Sequence, residues 1–231
     1  MNKVTIQYLN LPSLTSRLRD YFDCPTLEGA YLENQGGSAS IGSHFERRIF
    51  FNEYMTASSI KDSRLSEFTL AALEGTGWYQ VDYSYAEPMT YGKGRGCDFL
   101  DTPCMNKATK TPNFPEFCTG LASVGTYYTG RGVGPCGATS SLNTNKSLLA
   151  SFDYWGNKTI VADNYADNCP HTRVYSNIDC EDSTLKSLAL PSGMEYYGYG
   201  AKGFVGTLSS ENSPLSYPYG YCFLPKVWKV N

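Results

Sequence analysis

Apolar positions along this 231-residue chain follow two rhythms. Leu14, Leu18, Tyr21 and Phe22 fall at i, i+4, i+7 and i+8, a spacing that lines up side chains on one face of a helix. The pattern predicts a short amphipathic helix over residues 13–22, stopped by Cys24-Pro25, because the residue before a proline avoids the helical conformation. A second helix is predicted over residues 63–74. Leu65, Phe68, Ala72 and Leu73 would form its apolar face, Asp62 or Ser63 would cap it, and Gly75 and Gly77 would end it. Between them, residues 33–42 are rich in Gly and polar side chains (Asn34-Gln35-Gly36-Gly37-Ser38) and read as a loop, leading to a helical turn at residues 43–48.

Beyond Trp78 the rhythm shortens to strand-like pieces at residues 79–83, 148–154, 159–161 and 203–208, separated by Gly, Pro, Asn and Asp clusters. The fold class expected is α+β: a subdomain with a few helices, then a mainly antiparallel β and loop region braced by disulfides. The change of texture near Cys97 to Cys104 is the expected boundary, giving a central region 1–97 and a carboxyl-terminal region 98–231. No internal repeat is visible.

Composition narrows the picture. Hydrophobic residues make up 41% and charged residues 18%, which excludes a disordered tail and a coiled coil. The net charge is −3 and no Lys/Arg run exceeds two, so the cationic footprint needed to neutralise phosphates is missing and nucleic acid is not an expected partner. The eight cysteines include no C-x-x-C pair, and there are only two histidines. Disulfides are therefore the economical reading, and with them an oxidising compartment. Two N-x-[ST] sequences, at Asn145 and Asn157, agree with that route. Yet Met1 to Gln7 has no apolar signal-peptide core. Nor does any stretch span a membrane; residues 221–230 are too short and carry two lysines. An oxidised chain without an export leader is expected to be an incomplete protein.

Few residues offer chemistry on their own. His44, taken alone, reads as a hydrogen-bonded structural residue, and His171, after Cys169-Pro170, as a surface residue in a turn. No G-x-S-x-G elbow surrounds a serine. Gly92-Lys93-Gly94-Arg95-Gly96-Cys97 lacks the G-K-[ST] of a phosphate loop and reads as a tight turn into a disulfide. Glu46 and Glu53, with Arg47 and Arg48 between them, read as a solvated ion-pair face.

Several separated motifs, in order, change the weight of His44. They are Asp23-Cys24-Pro25-Thr26-Leu27-Glu28-Gly29, Leu32-Glu33-Asn34-Gln35-Gly36-Gly37, Gly42-Ser43-His44-Phe45-Glu46-Arg47-Arg48, Asn52-Glu53-Tyr54-Met55-Thr56, Phe68 to Tyr79, and Glu87-Pro88-Met89-Thr90-Tyr91-Gly92. This text resembles leishmanolysin, a zinc endopeptidase family of the metzincin group, densely over residues 12–104 and mainly by cysteine spacing afterwards. The resemblance implies a metzincin-type carboxyl-terminal subdomain, with His44 as the third zinc ligand. Met55, eleven residues on, would be the Met-turn residue beneath the metal, and Thr56, Ala57 and Ser58 a substrate side-chain pocket. It also implies the disulfides Cys24–Cys97, Cys104–Cys169, Cys118–Cys136 and Cys180–Cys222.

The departure is severe, since no H-E-x-x-H occurs anywhere in the chain. Two histidine ligands and the glutamate base that the family uses are absent, and catalytic zinc takes three protein ligands plus a water. In the family that motif lies upstream of the matching segment. The resemblance thus implies the carboxyl-terminal part of an endopeptidase that hydrolyses peptide bonds by zinc-activated water. The chain alone would be inactive, with no stoichiometric zinc of its own. Its partners would be protein or peptide substrates and the missing amino-terminal catalytic segment. Localisation would be extracellular or at the cell surface, with membrane association only through segments not present here. The alternative reading is a non-catalytic, disulfide-rich adhesion module.

Overall fold

The computed structural model describes residues 5–121, 123–140, 148–185, 196–207 and 218–223. In chain order the elements are β1 (Gln7–Leu9), α1 (Pro12–Phe22), β2 (Ala30–Leu32), α2 (Arg47–Phe50), α3 (Glu67–Gly75), a 3-10 turn (Tyr83–Tyr85), α4 (Cys97–Asp101), β3 (Met105–Asn106) and β4 (Thr111–Pro112). There follow β5 (Val124–Thr126), β6 (Val133–Pro135), β7 (Thr139–Ser140), β8 (Ile160–Val161), a 3-10 turn (Asn164–Ala166), β9 (Lys202–Thr207) and β10 (Pro218–Phe223). The fold is α+β, with β1–β2, β3–β4, β5–β6 and β9–β10 pairing antiparallel. It divides into two compact units, Met1–Glu116 with Ser140–Cys169, and Phe117–Thr139 with Pro170–Asn231. The Cys97 to Cys104 stretch lies inside the first.

An aromatic core organises the first unit. Helix α1 has Pro12 in its first turn and ends at Asp23, whose φ of 58° is left-handed. Leu14, Leu18, Tyr21 and Phe22 are all buried, as their periodicity requires. Tyr21 meets Phe68 edge-on at 4.9 Å, Phe22 meets Phe50 at 5.9 Å, and Phe22 stacks on Phe99 at 6.1 Å. Cys24–Cys97 and Cys104–Cys169 cross-link this unit.

Helix α3 begins later than its sequence pattern suggests. Ser66, not Asp62 or Ser63, is the cap, with its hydroxyl accepting from Phe68 N at 3.1 Å. The buried set is Phe68, Thr69, Leu70 and Ala71, while Leu65 and Ala72 are half-buried and Leu73 is exposed. Burial on two sides explains the shift. Ser13 Oγ donates to Ala71 O on one side, and Thr69 Oγ1 donates to Glu53 on the other. Two further expectations fail: residues 79–83 form no strand and run into a 3-10 turn, and residues 148–154 are turns and bends. Phe152 and Tyr154 are nevertheless buried.

In the second unit, β5 pairs with β6 from Val124↔Pro135 to Thr126↔Val133; Cys118–Cys136 is one cross-link, and Cys180–Cys222 ties a loop to β10. Gly134 is required here, because a Cβ would come within 1.6 Å of Arg173 O. Arg131 holds Asp179 through two nitrogens, at 3.0 and 3.1 Å. His171 is buried rather than on the surface: its ring lies 5.1 Å from that of Phe117, and its carbonyl accepts from Gly137 N.

Candidate functional site

Backbone pairing builds the neighbourhood of His44. After β2 the chain loops out and returns, with Gly42 N donating to Glu33 O at 2.9 Å and Glu33 N to His44 O at 2.8 Å. Gly36 and Gly37 turn the loop with φ of 83° and 82°. Phe45 then bridges Leu32 on one side and Thr56 on the other. Its N–H donates to Met55 O at 2.9 Å, so the segments carrying His44 and Met55 run side by side.

Both side chains are half-buried. The His44 ring presents Nδ1 to Ser43 Oγ at 2.9 Å and to Ser40 O at 3.4 Å. Its Nε2 has no hydrogen bond among the described residues. Local bonds at one ring nitrogen with the other left open suit an imidazole ligand, whose orientation and tautomer are set by its outer partner.

Glu53 holds the Met55 turn from beneath. Its buried carboxylate accepts from Met55 N, from Ser66 Oγ at 2.8 Å and from Thr69 Oγ1 at 2.5 Å. Burial pushes this carboxyl up, and the three donors oppose that shift by favouring the charged form. Thr56 points inward, its hydroxyl donating to Glu53 O at 2.9 Å. Ala57 and Ser58 are half-buried, and Ser58 O accepts from Arg47 Nη1 at 2.6 Å.

The charged segment between His44 and Met55 is not a solvated face. Glu46, Arg47, Arg48 and Glu53 are all buried. Glu46 caps α2 by accepting from Arg48 N at 3.1 Å, and it accepts from Asn34 Nδ2 at 2.7 Å. Arg47 Nε pairs with Asp163 at 2.8 Å, and Arg48 Nε with Asp167 at 3.4 Å. A cavity of about 190 Å³ opens among Asn34, Glu46, Arg48, Tyr154 and Asp167. Two buried carboxylate oxygens of this cluster, Glu33 Oε2 and Asp167 Oδ1, have no hydrogen-bond partner among the described residues. Sequence reasoning missed this cluster, because Asp167 lies far along the chain from Glu33 and Glu46; only the cap-like Glu46-Arg47-Arg48 order signalled it.

Burial raises these carboxyls, Glu33 to about 7 and Asp167 to about 6. For Glu33, repulsion from Asp167 adds to the shift, whereas the Arg48 guanidinium and the Asn34 amide pull Asp167 back down. Glu46 is raised well above its usual range by burial and by both neighbouring acids. An acid whose pKa is higher folded than unfolded binds more protons in the native state, so stability falls as pH rises through that window. Urea unfolding is expected to give a lower free energy at pH 8 than at pH 5, by about 1–3 kcal/mol. Asp167→Asn should flatten this dependence; an equally steep profile in the variant would exclude Asp167 as a source.

Comparison with known proteins adds an independent line. Residues 2–224 match the model of the peptidase M8 family, leishmanolysin. A leishmanolysin-like peptidase of Drosophila melanogaster is 42% identical over 106 residues, covering 46% of this chain and 15% of the relative. The ciliated left-right organizer metallopeptidase of Mus musculus is 35% identical over 174 residues, covering 72% and 24%. Leishmanolysin of Leishmania chagasi is 28% identical over 211 residues, covering 90% and 34%. The chain thus spans 15 to 34% of the length of these three relatives.

Proposed function

Because this chain belongs to the leishmanolysin family of metallopeptidases, we propose that it forms the carboxyl-terminal part of a zinc metalloendopeptidase acting on proteins or peptides. In this reading His44 would be the third zinc ligand, and Met55 would be the methionine of the turn that supports it. The observation that carries it is the Phe45 N to Met55 O bond, beside an imidazole whose Nε2 has no hydrogen bond among the described residues.

The residues present do not by themselves fit the metal. One imidazole falls short of three protein ligands, and among the described residues no group of three or more His, Cys, Asp or Glu side chains is arranged to hold an ion. When bound, zinc supplies an activated water in such enzymes. The chain's own contribution is to present His44 on a segment paired with the Met55 turn, which Glu53 ties to the start of α3. Thr56, Ala57 and Ser58 continue from that turn and are proposed to border the substrate side chain.

Extracellular or cell-surface placement is part of this reading and is supported by the four disulfides; no helix among the described residues is long and apolar enough to cross a membrane. Zinc content tests the reading. The 231-residue chain alone is expected to hold less than one zinc. Joined to an H-E-x-x-H segment from a leishmanolysin relative it should hold one, and His44→Ala should lose it. Tight stoichiometric zinc in the chain alone would overturn the ligand assignment. Absence of zinc from the joined protein would leave the adhesion module as the better reading.

A further inference from the structure

We propose that Asn157 is a glycosylation site, carrying an N-linked oligosaccharide in the exported protein. Asn157-Lys158-Thr159 is one of two N-x-[ST] sequences, and the other, at Asn145, lies outside the described residues. The motif alone is short and recurs by chance. What the fold adds is the placement of its three side chains.

Asn157 is exposed and is the first residue of a turn over 157–160. Gly156, with φ of 67°, brings the chain into that turn. The backbone is held on both sides, with Asn157 N donating to Asp153 Oδ1 at 3.0 Å and Ile160 N donating to Asn157 O at 2.9 Å. Asn157 Oδ1 accepts from Thr159 N at 3.0 Å and from Thr159 Oγ1 at 2.8 Å, which employs both of its lone pairs. Nδ2, the atom that would bear the sugar, has no hydrogen bond among the described residues. Lys158 is drawn aside, its ammonium donating to Leu148 O at 2.8 Å. A glycan at Nδ2 therefore displaces no protein contact, and the hydroxyl at the third position already sits on the acceptor amide.

The transfer is balanced with a lipid-diphosphate-linked oligosaccharide as donor. A bond forms between Nδ2 and the anomeric carbon of the first sugar, and the bond from that carbon to the diphosphate oxygen breaks. The lipid diphosphate leaves, and one Nδ2 proton passes to a base of the transferase. No electron changes hands.

This inference rests on the extracellular placement proposed above and is independent of the zinc chemistry. The test expresses the full chain behind a cleavable secretory leader in eukaryotic cells. Denatured protein is treated with peptide N-glycosidase in water labelled with heavy oxygen, then cut with trypsin, which yields a 147–158 peptide with Asn157 as its only sequon asparagine. The expected product is aspartate carrying the heavy label at position 157. Thr159→Ala should abolish the label and Thr159→Ser should retain it. Unmodified Asn157 in wild-type chains whose Cys104–Cys169 disulfide has formed would overturn the site. Chains recovered with Cys104 and Cys169 reduced would instead overturn the placement on which it rests. Because the wild-type map decides the matter, neither variant needs to fold.

Discussion

Replacing Arg48 by alanine is expected to destabilise the first unit by about 3–5 kcal/mol, the cost of removing one partner from a buried ion pair. Two demands meet at this guanidinium. It donates to Phe99 O at 3.0 Å, to Thr102 O at 3.4 Å and to Leu100 O, carbonyls at and just after the end of α4 that have no intrahelical donor. It also supplies the positive charge beside Asp167, in a cluster that holds Glu33 and Glu46 as well. Alanine leaves the carbonyls unbonded and the carboxylates uncompensated. Lysine would keep the charge but offers a compact ammonium in place of a planar fork, so Arg48→Lys should recover only part of the loss. Adding Asp167→Asn to Arg48→Ala should restore some stability by removing a buried charge without its partner, and a double-mutant cycle measures that coupling. Urea unfolding followed by far-ultraviolet circular dichroism gives each value. A loss below about 1 kcal/mol for Arg48→Ala would mean that the cluster is hydrated rather than held by this side chain.

The difference between Arg48 as a buried tie and as part of a solvated face shows where sequence reading stops. Helix α1 was legible because four large apolar side chains repeat at the helical period, and period alone puts them on one buried face. Helix α3 was legible in kind but not in boundary. Ser66 and Thr69 are polar, and what buries them is Glu53, which they both bond; nothing local to residues 63–74 announces that partner. At residues 148–154 the apolar pattern foretold burial, which Phe152 and Tyr154 show, but not the element, because a strand also needs a neighbour to pair with. Charged residues are the hardest case. Their usual place is in water, and burial becomes possible only when partners arrive from distant chain, as Asp163 and Asp167 do.

The candidate site divides the same way. The eleven-residue spacing from His44 to Met55 has no periodicity to betray it and was readable only through family resemblance. The backbone bond from Phe45 to Met55 is a tertiary feature that neither segment encodes by itself. Glu53 is the residue sequence reasoning passed over, set aside with Glu46 as surface charge, although its carboxylate accepts from Met55 N and from the Ser66 and Thr69 hydroxyls at the start of α3.

Loss of the Cys24–Cys97 bridge, in a Cys24→Ser, Cys97→Ser variant, is expected to lower stability by about 4 kcal/mol, the chain-entropy cost of releasing a long closed loop. The sequence separation is 73 residues, against 18 for Cys118–Cys136, so the same model makes the first bridge worth about 1 kcal/mol more than the second. The native ends should stay together when the bond is gone. Gly94 N donates to Tyr21 O at 2.9 Å, Gly96 N donates to Phe22 O at 2.7 Å, and Phe22 stacks on Phe99. The effect therefore belongs to the unfolded chain, which gains freedom it lacked. Urea unfolding should show a lower midpoint with a steeper denaturant dependence, because the uncrosslinked chain exposes more surface. A variant with less helical signal before any urea is added would instead show that the bridge holds the native packing. The released loop contains His44, Met55, α2 and α3. The cross-link thus limits how far the proposed metal-ligand segment can wander before it folds, and this places its stabilising effect on the segment where the function is proposed to lie.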